Sequence, residues 1–109
     1  MERKELGRIK LARFGYGGYQ DAQFGFSIEI EGEAWGVSDF CGTWAKRPSY
    51  AEWTEADQAA RFATAVTLLR DTLDAAKKRH VAELAGTPVE VTFDGLRMTT
   101  WRVLKEVIA

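Results

Sequence analysis

The sequence predicts an α+β protein in which an antiparallel β-sheet of about five strands packs against one long helix, in the order β-β-β-α-β-β. Apolar residues alternate with a period of two over residues 24–31 and 89–93, which indicates half-buried strands. Residues 54–80 instead carry apolar side chains at spacings of three and four, as an amphipathic helix does. The helix stripe and one sheet face bury each other. No repeat or low-complexity linker divides the 109 residues, so we expect a single domain spanning residues 1–109.

The first half of the chain contains three predicted strands. Residues 7–14 are a short strand candidate. Residues 24–31 place their phenylalanine and isoleucine side chains on one face and their polar side chains on the other. Glu-Gly-Glu at 31–33 supplies a turn, and residues 34–41 return as the third strand, so these two strands form a hairpin.

The second half predicts a helix followed by a hairpin. Thr54 is an N-cap candidate, because acidic residues follow it in the first turn. The helix is predicted from residue 54 to about residue 80, with a break near His80. Its core-facing stripe is predicted to contain Ala59, Phe62, Val66, Leu69, Leu73 and Ala76.

The C-terminal hairpin carries the Asp94-Gly95 signal of a two-residue turn between residues 89–93 and 96–100. The apolar phase shifts between Met98 and Trp101, which predicts a bulge. Residues 101–108 fit either a strand or a helical turn.

Composition limits the function. The chain has 15 basic and 16 acidic side chains, a formal net charge of −1, which argues against a general nucleic-acid binder. Its start lacks the apolar run of a signal peptide, and no apolar stretch approaches the roughly 20 residues that span a bilayer. Cys41 is the single cysteine, so no internal disulfide forms. We expect a cytoplasmic location and no membrane partner.

Two segments are candidate binding regions. Eight of the ten glycines lie between Gly7 and Gly42, and no Lys or Arg occurs from Phe14 to Ala45. The first, the Gly/Tyr segment of residues 14–21, has glycines that permit a tight loop and tyrosines that offer flat faces for a ring. The second, residues 35–50, combines aromatic side chains with the first cations after the acidic tract, which suits stacking and phosphate binding. The predicted ligand-binding residues are Tyr16, Gly17, Gly18, Tyr19, Gln20, Trp44, Lys46, Arg47 and Tyr50.

Structural interpretations of both segments stay open. The first segment lacks the third glycine of a dinucleotide fingerprint and the Lys-Ser/Thr of a phosphate-binding loop. It is equally a glycine-rich connection whose tyrosines pack on the sheet, and the second is equally a loop wrapped over the core.

The sequence offers no convincing catalytic or metal site. Cys41, His80 and Asp39 are a conceivable nucleophile, base and orienting carboxylate, but nothing in their spacing places them together. A buried Cys41 and a surface or capping His80 account for these residues more simply. We expect no catalytic residues, no metal and no cofactor, and hence a protein that is not an enzyme.

The chain resembles a family of small phage and prophage proteins. The resemblance rests on FGYGGYQDA (14–22), WGVSDF (35–40), GTWA (42–45), WTEAD (53–57), GTPVEVTFDG (86–95) and WRVLKEV (101–107). It implies phage origin and action in the host cytoplasm during infection, and it assigns no catalytic residue.

Three functional hypotheses follow. The first is a non-catalytic counter-defence protein that sequesters a nucleotide-derived immune signal, with a site shared between protomers of a homo-oligomer. It needs Arg13, Lys46, Arg47, Arg97 or Arg102 to converge on the phosphate. The second is an anti-CRISPR-like inhibitor of a host defence protein or complex, acting through an acidic and aromatic face. Its acidic residues are Asp21, Glu29, Glu31, Glu33 and Asp39. The third is a virion or accessory structural protein.

Overall fold

Within residues 1–108, which the computed structural model describes, five strands form one antiparallel sheet. The elements are β1 (Glu2–Gly17), β2 (Gln23–Glu31), β3 (Gly36–Trp44), α1 (Glu55–Ala76), β4 (Pro88–Asp94) and β5 (Arg97–Val103). The strands lie in the order β3-β2-β1-β4-β5 in a curled sheet, and α1 packs mainly against β3 and β2. The predicted α+β class and the order β-β-β-α-β-β are confirmed.

Strand β1 is longer than the predicted strand and is shared by two ends of the sheet. Residues 2–8 pair with β4, and residues 8–17 pair with β2. The β1/β2 register shifts between Ile9 and Leu11, a bulge of the kind that bends a strand and increases its twist. We call β2, β3 and residues 9–17 of β1 the glycine-rich end, and β4, β5 and residues 2–8 of β1 the ion-paired end.

The inner face of the sheet, which faces α1, carries the core. Phe26, Ile28 and Ile30 of β2 are at most 3% exposed, as the period of two predicts. Val89 and Val91 of β4 are fully buried on the same face. Both ends of the sheet therefore contribute to one continuous core.

The helix begins as predicted but ends earlier, and two positions of its predicted core-facing stripe are exposed. The Thr54 hydroxyl accepts a hydrogen bond from the Asp57 N–H (3.1 Å), and the Asp57 carboxylate accepts one from the Thr54 N–H (2.8 Å). The helix stops at Ala76 because Lys77 takes the left-handed conformation (φ 57°).

The predicted stripe is wrong at Ala59 and Val66, which are exposed; the buried positions are Ala65, Thr72 and Ala76. The other four predicted positions are confirmed: Leu69, Leu73 and Ala76 pack in the core, and Phe62 packs on Phe24. Alanine and threonine carry weak hydrophobic signals, so the pattern missed Ala65 and Thr72.

The C-terminal hairpin is confirmed, with its loop shifted by one residue. Asp94 pairs with Arg97, so Gly95 and Leu96 form the loop, and Gly95 supplies the positive φ of 65°. The predicted bulge is present at Thr99, which lies between paired residues and donates its hydroxyl to the Thr92 carbonyl (3.2 Å). Residues 101–108, which fitted either a strand or a helical turn, contain both: β5 ends at Val103, and a 3-10 helix follows at Lys105–Val107.

No helix in the described part of the chain is long and apolar enough to cross a membrane.

Candidate functional site

A bare strip of backbone crosses the outer face of the glycine-rich end. Gly15 pairs with Gly25, and Gly25 pairs with Gly42, so glycines lie side by side across β1, β2 and β3. A Cβ on Gly25 would overlap the Cys41 carbonyl oxygen and lie 2.7 Å from the Gly42 Cα. The backbones approach so closely that glycine is needed at this point.

A groove of about 440 Å³ lies on this outer face. Its cation is Arg13, which pairs across the sheet with Ser27, and Ser27 pairs with Phe40. Gly18 of the Gly/Tyr segment and outer-face side chains line it: Leu11, Arg13, Ser27, Glu29, Ser38 and Phe40, with Ile28 and Asp39 beside them. The groove therefore combines a guanidinium, two hydroxyls and an aromatic ring.

Arg13 is the groove's one cation, and its guanidinium makes no hydrogen bond or ion pair within residues 1–108. One carboxylate, that of the exposed Glu29, also lines the groove. Asp39 pairs with the inner-face residue Ile28, and one oxygen of its carboxylate accepts the Phe40 N–H (2.9 Å). The groove thus carries one cation and one outer-face carboxylate, and the Arg13 guanidinium is available to a bound group.

The predicted Gly/Tyr segment divides between two surroundings. Tyr16 stacks edge-on against Phe24, with ring centroids 5.3 Å apart, and belongs to the aromatic cluster at the end of the inner face. Tyr19 instead meets Trp44 at 6.3 Å. Both tyrosines keep about two-thirds of their surface exposed. The structure brings Tyr19 and Trp44 together, as a site shared by the two predicted segments requires. Tyr16 points to the inner face and does not join them.

The glycines and Gln20 shape the turn between β1 and β2. Gly18 has a φ of 67° and caps a 3-10 helix at Tyr19–Asp21, and Gln20 also has a positive φ (53°). Gly17 lies beneath the Phe40 ring, since a Cβ there would lie 3.3 Å from Phe40 Cε2. Of these residues, Gly18 lines the groove.

The second predicted segment is a loop held by one of its own cations. Arg47 donates from Nε to the Trp53 carbonyl (2.6 Å) and from Nη2 to the Ala51 carbonyl (3.0 Å). Its guanidinium also lies 5.8 Å from the Trp53 ring. Any ligand contact of Arg47 therefore competes with these bonds. Lys46 and Tyr50 are exposed, Tyr50 by 87%.

The remaining candidate cations lie at the ion-paired end. Arg102 donates to Glu90 (3.1 Å) and to both oxygens of Glu106 (3.1 and 3.0 Å). The hydrogen bonds from Arg102 lower the pKa of Glu106, and those to Glu106 and Glu90 raise the pKa of Arg102. Arg97 pairs in register with Asp94 beside the hairpin loop. Of the five candidate cations, Arg13 alone lines the outer-face groove, so the expected convergence of several of them on one phosphate is not seen there.

The conceivable catalytic residues Cys41 and His80 lie on different elements: Cys41 is half-buried in β3, where full burial was expected, and His80 precedes a 3-10 helix. Burial, and then the neighbouring Asp39 carboxylate, raise the pKa of the Cys41 thiol, so the reactive thiolate is disfavoured. His80 caps a 3-10 helix at Val81–Leu84, and its backbone N–H donates to the Glu83 carboxylate (2.9 Å). Among the described residues, no three His, Cys, Asp or Glu side chains cluster as metal ligands would.

Sequence reasoning missed the outer-face residues Ser27, Ser38 and Phe40. The alternation of β2 places Ser27 on the polar face, so half of the signal was present. The contribution of β3 depends on its register with β2, which a sequence does not show.

Comparisons of the chain with protein-family models, with curated proteins and with solved structures found no significant match.

Proposed function

We propose that the protein is a non-catalytic binding protein that sequesters a nucleotide-like ligand in the outer-face groove of the glycine-rich end. The observation that carries this proposal is the free Arg13 guanidinium, placed with Gly18 and the Phe40 ring around a groove of about 440 Å³. That volume lies within the range of small-molecule sites. The resemblance to small phage proteins supports a role in capturing a signal of host defence.

The charges of the groove narrow the ligand class. One guanidinium balances one negative charge, and the Glu29 carboxylate in the groove repels further anionic groups. A cyclic mononucleotide carries a single phosphodiester charge and a planar base, and it fits this balance better than a polyphosphate. The hydroxyls of Ser27 and Ser38 complement sugar or phosphate oxygens.

Calorimetry against a panel of cyclic mononucleotides, cyclic dinucleotides, ADP-ribose derivatives and nucleoside triphosphates tests the proposal. We expect micromolar binding of at least one cyclic mononucleotide and weaker binding of the polyphosphates. Arg13→Ala should weaken binding at least about tenfold, because the guanidinium is the groove's cation. The matched control is Arg102→Ala at the opposite end, which should leave affinity unchanged.

Absence of binding to every member of the panel at micromolar concentration would count against the proposal. Equal affinity of the wild type and Arg13→Ala for a bound nucleotide would place the site elsewhere.

A second candidate is a protein-directed inhibitor of a host defence complex. The observation that favours it is the exposed aromatic group beside an acidic surface: Tyr19 and Trp44 form a pair, and Glu29 and Asp39 lie on the neighbouring strands. Aromatic residues contribute most of the binding energy at protein interfaces. Carboxylates would complement the positively charged channel in which a defence complex holds nucleic acid.

Affinity capture from host lysate distinguishes the candidates. A stable stoichiometric protein partner that is lost with Tyr19→Ala plus Trp44→Ala favours the inhibitor. A co-purifying small molecule without a protein partner favours the nucleotide-binding protein.

A further inference from the structure

A second groove, of about 670 Å³, lies between α1 and the two edge strands of the sheet. Residues 99–103 of β5 line it, and so does Asp39 of β3, although β3 and β5 are at opposite edges of the sheet. The curl of the sheet therefore brings both edges to one opening, on the side that faces α1. A volume of this size lies within the range of small-molecule sites.

Apolar side chains of the core line this groove. Trp101 pairs with the fully buried Val91, so its ring lies on the inner face of the sheet and packs against the core. Leu68 and Ala75 of α1 also pack against the core and line the groove. Seven residues of helix, about 10 Å, separate these two, so the groove is at least that long. It thus offers an aromatic ring and aliphatic side chains to the apolar part of a ligand.

Four charged side chains line the same groove, and two of them already have partners. Arg102 donates to Glu90 (3.1 Å) and to Glu106 (3.1 and 3.0 Å). Asp71 pairs with Arg70 (3.2 Å). These four neighbouring groups balance the charges of Arg102 and Asp71, which would have to give up hydrogen bonds to bind a ligand.

The other two charges, Asp39 and Lys105, form no ion pair within residues 1–108. Asp39 is unusual for its position, because it pairs with Ile28 on the apolar inner face of the sheet and is nevertheless exposed. One of its oxygens accepts the Phe40 N–H (2.9 Å), which leaves the second oxygen for a ligand. The groove therefore contains one available anion and one available cation.

Asp39 lies beside the middle of α1. Gln58 donates to the Trp44 carbonyl (2.9 Å), so the start of α1 lies at the end of β3. Asp39 is five residues back along the strand, about 17 Å, and that length corresponds to about eleven residues of helix. The carboxylate is therefore near Leu68, which lines the groove with it.

Lys105 lies at the other end of the groove. Ala76, the last residue of α1, lines a small cavity together with Pro88. The Pro88 carbonyl accepts the Leu104 N–H (3.0 Å), so the next residue, Lys105, is beside the end of the helix. The two available charges are thus on the order of 10 Å apart along the groove.

We propose that this groove binds a small zwitterionic molecule with an apolar body. Its ammonium lies at Asp39, its carboxylate at Lys105, and its body along Leu68, Ala75 and the Trp101 ring. A charge separation of about 10 Å matches an extended tripeptide with free termini, at about 3.3–3.6 Å per residue. Because the groove offers one available charge of each sign, a zwitterion complements it better than a polyanion or a basic molecule.

Calorimetry with a panel of apolar tripeptides, trileucine among them, tests the proposal. Each tripeptide is measured with both termini free, with its amino terminus acetylated and with its carboxyl terminus amidated. Acetylation removes the ammonium and amidation removes the carboxylate, so each cap should weaken binding at least about tenfold. In two-dimensional NMR, the Trp101 indole signal should shift with the free tripeptide, whereas the Arg13 side-chain signal in the outer-face groove should not.

Matched variants assign each terminus to its partner. Asp39→Asn should weaken binding of the free tripeptide and remove the effect of acetylation, and Lys105→Gln should do the same for amidation. Glu33→Gln and Lys10→Gln change exposed charges that do not line this groove, and they should leave affinity within about twofold. If a variant does not fold, the capped tripeptides on the wild type still decide the question.

Absence of binding of every tripeptide in the panel at millimolar concentration would overturn the proposal. So would equal affinity of the free and capped forms, or a shift at Arg13 in place of Trp101, because the ligand would then occupy the outer-face groove. The two proposed sites are tested separately, since Arg13→Ala should weaken nucleotide binding and leave tripeptide binding unchanged.

Discussion

The two ends of the sheet share β1 and one core, yet they differ in whether their charged side chains form ion pairs. At the ion-paired end, Lys4 and Arg102 both reach Glu90, and Arg102 also reaches Glu106. At the glycine-rich end, Arg13 and Glu29 line a groove without pairing to each other. Exposed ion pairs add little to stability, but they hold side chains in place and neutralise them. The comparison teaches that the Arg13 guanidinium is available to a ligand, whereas the charges around Glu90 are engaged with one another.

The largest expected effect separates the inner from the outer face of the glycine-rich end. Phe26 is fully buried on the inner face of β2, and Phe26→Ala should lower the free energy of unfolding by about 3–5 kcal/mol. Phe40→Ala removes a half-buried ring from the outer face of the neighbouring strand and should cost less than about half as much. Urea denaturation measures both values, and equal losses would contradict the division into inner and outer faces.

The glycine strip gives the next largest effect. Gly25→Ala drives a methyl group into the β3 backbone and should destabilise the protein by about 1–3 kcal/mol. Gly36→Ala, on β3 near the turn, meets its nearest atom at 3.8 Å and should change stability by less than about 0.5 kcal/mol. Thermal unfolding of the two variants decides whether the close backbone approach is needed at that strip.

Arg47 and Lys46 test which cation of the loop has a structural role. Arg47→Ala removes hydrogen bonds to the Trp53 and Ala51 carbonyls and should cost about 1–2 kcal/mol. Lys46→Ala should be neutral, because Lys46 is exposed. If denaturation shows the reverse order, the loop is held in another way, and Arg47 becomes available as a ligand residue.

The helix cap gives the smallest effect. Thr54→Ala removes the acceptor for the Asp57 N–H and should cost about 1 kcal/mol. Hydrogen bonds from the Thr54 backbone and side chain lower the pKa of Asp57. This contribution to stability is therefore present above the unfolded-state pKa and is lost as the pH falls through the lowered folded-state value.

Carboxyl titration by NMR should accordingly show a lowered Asp57 pKa in the wild type and a higher one in Thr54→Ala. The variant keeps the backbone N–H of residue 54, so it should lose only part of the lowering; an ordinary Asp57 pKa in the wild type would contradict the capping geometry.

Local patterns predicted much of the fold. The alternation at 24–31, the Thr54 cap and the bulge after Met98 follow from side-chain chemistry within a few residues, and the structure contains each. The helix stripe was predicted wrongly at Ala59 and Val66, because Ala65 and Thr72, both buried, contribute little to an apolar pattern.

The candidate site was less accessible to prediction. Aromatic and glycine content identified the correct end of the sheet, but Arg13, Ser27 and Phe40 meet only through the pairing of β1, β2 and β3. Register depends on contacts between distant segments, so no single segment encodes it. The engagement of Arg47 by carbonyls of its own loop was likewise absent from the residue pattern.

We propose that the outer-face groove around the unpaired Arg13 guanidinium is a binding site. Two-dimensional NMR of the isotope-labelled protein, titrated with cyclic mononucleotides, tests it most directly. We expect chemical-shift changes at the Gly18, Ser27 and Ser38 amides and at the Arg13 side chain. The signals of Arg102 and Glu90 should not change. Shifts confined to the ion-paired end, or no shifts at millimolar ligand, would contradict it.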